Sequence, residues 1–240
     1  MSRSLQQIVL DRLLARQRKA EMRRAQQETA AGQPELLAAY AAFARGQQSG
    51  SVRQPFKGWD LWKILLAEKP RKIVELGSGT TSAVFALYAR RNDAAYVAFE
   101  HHPEWCQVTL DCLRAANVIG AEDAPVKCVP MREDSARPST GFVEDVPDDA
   151  DFFYVDGPPC PIRDGRKLPN DDVVRLLDRG GRPQCIVVDG RIDTVDLIRA
   201  HPAGAEYELA PSYVYCVRRG RWRDALSFAE HSVFRRKPAV

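Results

Sequence analysis

A chain of 240 residues with 45% apolar side chains is large enough for one sizeable α/β domain with a full core. Six cysteines, at 106, 112, 128, 160, 185 and 216, include no Cys-x-x-Cys spacing, which excludes a zinc-ribbon pattern and reads as reduced, buried thiols. A formal net charge of +3 decides little about partners.

No apolar run approaches the length of a membrane span, and Asp11 and Arg12 interrupt the first apolar stretch, so no signal peptide is read there. A soluble, cytoplasmic protein is the expectation. Residues 4–30 are predicted as one long helix. Leu5, Ile8, Val9, Leu13 and Leu14 form its apolar stripe, and Arg12, Arg16, Arg18, Lys19, Arg23 and Arg24 its polar face. Such a helix packs on its own domain or on a second subunit, so a homo-oligomer through the N-terminal helices is an expected arrangement. A membrane-surface or nucleic-acid role is the alternative.

Gly32, Gln33 and Pro34 break that helix, and Pro34 opens a second one to about residue 44. Residues 46–55 read as a polar linker and 59–66 as a third helix. This divides the chain into an N-terminal helical extension, 1–54, and an α/β domain, 55–240, with a basic C-terminal tail.

From residue 71 onward strands and helices alternate. Strands are predicted at 71–76, 95–99, 126–129, 151–155 and 185–188, and helices at 80–91, 106–116, 171–177 and 193–200. Segments 207–209 and 213–217 are predicted as a closing antiparallel pair. The pattern specifies an α/β fold: a doubly wound, mostly parallel sheet with helices on both faces and an antiparallel last strand. Tyr213, Tyr215, Trp222 and the basic run 218–223 read as edge strand and solvated tail, and Arg235 and Arg236 as tail.

The chemistry concentrates at predicted strand ends. Gly77 and Gly79 let the chain turn sharply between the first strand and its helix, and the amides at that helix start favour a ligand's negative group. Glu75 sets a carboxylate beside the loop, which repels a pyrophosphate and suits an ammonium or sulfonium. Glu100 closes the next strand at the distance where an acid meets ribose hydroxyls.

The run Glu75-Leu76-Gly77-Ser78-Gly79-Thr80-Thr81-Ser82, followed by Phe99-Glu100-His101-His102-Pro103-Glu104-Trp105, resembles the class I S-adenosylmethionine-dependent methyltransferases. Thr81 departs from the pattern, since many members carry glycine there. The resemblance covers roughly residues 56–219. It implies S-adenosylmethionine as cofactor, with Gly77, Ser78, Gly79, Thr80 and Thr81 around it, Glu100 on the ribose and His101 flanking the adenine. Glu75 then meets the ligand's amino end, or caps the loop, or both. One of Arg132, Glu133 and Asp134 would contact adenine, or all three are surface loop.

Asp151-Phe152-Phe153-Tyr154-Val155-Asp156-Gly157-Pro158-Pro159 resembles the family's fourth motif, placing Asp156 near the methyl group as catalytic residue and cofactor contact. Gly157 and Cys160 differ from the run of nucleic-acid amino methyltransferases, which argues against a nucleic-acid substrate. Residues 160–170, with Arg163, Asp164, Arg166 and Lys167, are a candidate lid. Asp156 and Asp189 match two magnesium ligands of the catechol type, but Gly190 removes the third, so no metal is expected. The reading is methyl transfer to a small-molecule acceptor, oxygen before nitrogen. A non-catalytic Rossmann-like module and a nicotinamide-dependent oxidoreductase are the alternatives.

Overall fold

The computed structural model describes residues 27–46, 55–163, 165–215 and 228–238, with a few helical positions before them. Helix α1 spans Pro34–Gly46 and α2 Pro55–Glu68. The alternating region opens with β1 (Lys72–Leu76), α3 (Ser82–Asn92), β2 (Ala95–Glu100), α4 (Pro103–Ala115) and β3 (Val126–Cys128). A hairpin of β4 (Met131–Asp134) and β5 (Ser139–Phe142) follows, then β6 (Phe152–Val155) and a short hairpin of β7 (Ile162–Arg163) and β8 (Arg166–Lys167). The chain continues through α5 (Asp172–Asp178), β9 (Cys185–Asp189), α6 (Ile192–Ala200), β10 (Tyr207–Tyr215) and β11 (Phe228–Arg236).

Seven strands form one sheet in the order β10-β11-β9-β6-β1-β2-β3. The central pairings are parallel, and β11 runs antiparallel to both β9 and β10. The expected doubly wound sheet with an antiparallel last strand is therefore present. Its closing pair differs from expectation: residues 207–215 make one strand, and their partner is β11. Arg235 and Arg236, expected in a tail, lie in that strand. The basic run 218–223 and Trp222 lie outside the described residues, as do Cys216 and residues 47–54 of the expected linker.

Parallel strands covered on both sides have no polar face, so successive residues feed opposite cores. Ile73, Phe152, Tyr154 and Val187 face one cluster, which α1 and α2 complete with Leu36, Phe43, Leu61 and Trp62. Val74, Leu76, Phe153, Val155 and Ile186 face the other, beneath α5 and α6. Helix α1 thus buries its apolar stripe within the same domain, packed on α3 and α4. Trp59 donates to Glu28, and Arg90 and Arg91 pair with Glu35, tying the first helices to α2 and α3. No helix among the described residues is long and apolar enough to cross a membrane.

Two features fix the bend after β1. Gly77 has φ +90°, and a Cβ there would meet Gly157 N at 2.5 Å; one on Gly157 would meet Gly77 Cα at 2.3 Å. Only bare backbone fits at that crossing. Beneath it Glu75 is fully buried and accepts hydrogen bonds from the hydroxyls of Thr81, Ser82 and Tyr96. Burial pushes its pKa up to about 8, against the opposing pull of the three hydroxyls.

Gly77→Ala is expected to cost about 1–3 kcal/mol from backbone strain, plus displacement of the Gly157 turn, seen as a lowered melting temperature. Glu75 generates a pH prediction. Its folded pKa lies above the unfolded value, so the native state holds the extra proton between an ordinary carboxylate pKa and about 8. Stability is then complete below the unfolded pKa and falls as pH rises through that window, by up to about 1.4 kcal/mol per pH unit. Chemical denaturation from pH 5 to 8 should show a flatter dependence in Glu75→Gln than in the wild type.

Candidate functional site

The carboxyl ends of β1, β2, β6 and β9 open into a cleft of about 360 Å³, a size suited to a small ligand. One wall is the glycine turn. Gly77 donates its amide to Phe99 O at 2.8 Å, Ser78 to Glu100 Oε2 at 3.0 Å and Gly79 to Ser82 Oγ at 3.0 Å. These amides are thus committed to the protein, where the sequence suggested donors awaiting an anion. Helix α3 starts at Ser82, and the Thr81 side chain does not cap it but turns inward to Glu75.

Glu100 continues the same wall, beside Ser78. Its Oε1 accepts from the amides of His101 at 2.9 Å and His102 at 3.0 Å and lies 2.8 Å from His101 Nδ1. Amide bonds to both oxygens hold the carboxylate in one orientation. Trp105, on the first turn of α4, donates its indole N–H to Ser78 O at 2.9 Å and presents its ring to the cleft. Proline at the first position of α4 pre-sets the turn that brings it there.

The floor comes from β6 and β9. Asp156 follows β6, where its amide donates to Leu76 O, and solvent reaches 45% of its side chain. Desolvation of its inward side and then the charge of Asp189 push its pKa up to about 6, while Arg191 and Lys57 oppose them. Arg191 spans the Gly-Pro-Pro turn: it donates to Pro158 O at 2.8 Å, to Cys160 Sγ at 2.7 Å and to Asp156 O, with Asp156 Oδ1 at 3.5 Å. From behind, Asn170 donates to Gly157 O at 3.1 Å and to Asp172 at 2.7 Å, so the turn is held from both sides.

Of the residues expected from sequence, Gly77, Ser78, Glu100, His101 and Asp156 line the cleft. Gly79, Thr80 and Thr81 form the turn behind it. Glu75 sits under the turn, so its carboxylate supports the loop and does not face the opening. Arg132, Glu133 and Asp134 belong to β4 and are engaged elsewhere. Arg132 donates to Phe142 O and Asp171, Glu133 pairs with Arg163, and Asp134 accepts from Ala136 and Arg137 amides. The segment expected as a lid is the β7–β8 hairpin, with Arg163 tied to Glu133; Asp164 lies outside the described residues.

Sequence reasoning did not assign Trp105, Asn170, Arg191 or Lys57 to the site. Arg191 carried the clearest signal, a cation two residues past a strand-end aspartate. Asp189 accepts two bonds from Lys57 and one from the Tyr154 hydroxyl. Among the described residues no group of three or more His, Cys, Asp and Glu is arranged to hold a metal ion.

No protein-family model and no curated protein matches the chain. Solved structures do. A candidate O-methyltransferase from Klebsiella pneumoniae is similar at 16% identity and TM-score 0.50, covering 87% of this chain and 91% of that one. Cofactor-bound Rv0187 from MTB is similar at 16% identity and TM-score 0.50, over 84% of this chain and 89% of its own. An S-adenosylhomocysteine-bound methyltransferase of Podospora anserina aligns over 99% and 98% of the two chains at 16% identity, with a TM-score of 0.46. With its strand order and inserted antiparallel strand, the chain has an α/β Rossmann-like fold, the likeness it shares with these solved structures.

Proposed function

We propose that this protein is a methyltransferase that uses S-adenosylmethionine and acts on a small-molecule acceptor, at oxygen in preference to nitrogen. The observation that carries the reading is the commitment of the loop amides. Ser78 and Gly79 donate to Glu100 and Ser82. A dinucleotide fold leaves such groups to a pyrophosphate. With them spent, the turn offers no free amide to a phosphate from these residues, and Glu100 beside it suits the hydroxyls of a nucleoside that carries none. This also weighs against a nicotinamide cofactor.

Glu100 is the ribose acceptor in this reading, oriented by the amides of His101 and His102. Trp105 and His101, both lining the cleft, flank the base in the same reading. Such a cofactor, when bound, supplies an electrophilic methyl group on a sulfonium. The chain's part is to align acceptor and donor and to keep water out. Asp156 stands at the methyl site, and with a pKa raised to about 6 it is largely ionised at neutral pH. It can then take the proton of an acceptor hydroxyl, a role that an amine acceptor needs less.

Titration calorimetry with S-adenosylhomocysteine tests the assignment. The wild type should bind, Glu100→Ala should weaken binding at least tenfold, about 1.4 kcal/mol, and NADH should not compete. No binding by the intact wild type would end the reading.

A further inference from the structure

Two side chains one turn apart on α2 enter the sheet near the cleft. Lys57 Nζ lies 2.7 and 2.9 Å from the two oxygens of Asp189, with 18% and 8% of the respective side chains exposed. Asp60 meets Nδ1 of the fully buried His231 at 2.8 Å. Tyr154 links the two pairs. Its ring stands edge-on to His231 at 6.0 Å, and its hydroxyl donates to Asp189 Oδ2 at 3.1 Å. Val155 and Val188 are register partners, so Asp156 and Asp189 leave adjacent strands side by side.

A buried ammonium–carboxylate pair costs desolvation that its mutual attraction barely offsets, so stability alone is a weak reason for one here. The proposed reaction supplies a stronger reason. As a methyl group leaves a sulfonium, the positive charge on sulfur disappears. A strongly anionic floor therefore holds the reactant more tightly than the transition state and slows transfer. Asp156 and Asp189 by themselves would make such a floor. Arg191 and Lys57 both act on the Asp156 charge and bring the group of four near neutrality.

Resting on the methyltransferase reading, we propose that Lys57 is a positioning residue of the methyl site: its ammonium, carried in by α2 and clamped by Asp189, cancels one strand-end carboxylate so that the sulfonium meets a nearly neutral floor. The helix before the glycine strand is then part of the reaction centre as well as its packing. Lys57 and Asp189 act through the field at the methyl and through Asp156, without contact with the reacting atoms.

The test is the ratio of dissociation constants for S-adenosylmethionine and S-adenosylhomocysteine, measured by calorimetry on the full chain. The two ligands differ by a methyl group and one charge, so a general packing defect weakens both alike and leaves the ratio unmoved. Lys57→Met should shift the ratio toward S-adenosylmethionine by about 3- to 10-fold, the effect of one uncompensated charge at short range in a partly screened site. Lys57→Arg should keep the wild-type ratio. Asp189→Asn, which leaves the ammonium uncompensated, should shift it by a similar factor the other way, and it serves as the test if Lys57→Met does not fold. A ratio unmoved in a folded variant, or an arginine variant that behaves like the methionine one, overturns the proposal. If the wild type binds neither ligand, the methyltransferase reading fails and this role with it; binding with an unmoved ratio removes the role of Lys57 alone.

Discussion

The turns after β1 and β6 cross with their backbones in contact, at a separation that leaves no space for a methyl group on Gly77 or Gly157. That crossing sets the distance between the two walls of the cleft. Ser78 and Glu100 lie on one side of it, Asp156 and Arg191 on the other. The crossing is braced from three directions: Glu75 under the β1 turn, Asn170 behind the β6 turn, and Arg191 across its prolines. A rigid crossing of this kind fixes reactive groups more tightly than a long loop could.

The carboxylates around the cleft are each handled by a different physical device. Glu75 is buried among hydroxyls, and burial raises its pKa to about 8. Glu100 is satisfied by backbone amides, which orient it without adding a counter-charge. Asp189 is clamped by an ammonium. Asp156 keeps a loose contact with Arg191 and a solvent-facing side. Of the set it is the group with both freedom and charge, which in the proposed reaction suits it to act as the base.

The fold was largely legible because its strands are apolar runs of ordinary length, bounded by glycine, proline or charge. Strand β11 escaped: His231, Arg235 and Arg236 give it a polar look, and the arginine-rich stretch before it suggests a tail. The alternation of Val233 and Phe234 into opposite cores was the available signal. The β4–β5 hairpin was hidden by its mixed polarity, with Arg132 and Asp134 spent on local contacts. At the site, residues within a motif were readable, since their spacing implies their geometry. Glu75 was readable in position but not in direction, because that depended on Thr81, Ser82 and Tyr96 turning back toward it. Lys57 and Asp189 stand 132 positions apart, and no local pattern announces such a pair.

Strand order also carries a consequence for how the molecule is made. β10 touches the sheet through β11, and β11 alone joins it to β9. During synthesis, residues 207–215 therefore emerge before the neighbour they need, and the flank of β9 stays open until 228–236 arrive. The polypeptide cannot seal that border progressively from its N-terminal side. A nascent chain stalled between these segments would present two unsatisfied strand margins at once, the condition under which chaperone capture or self-association competes with completion.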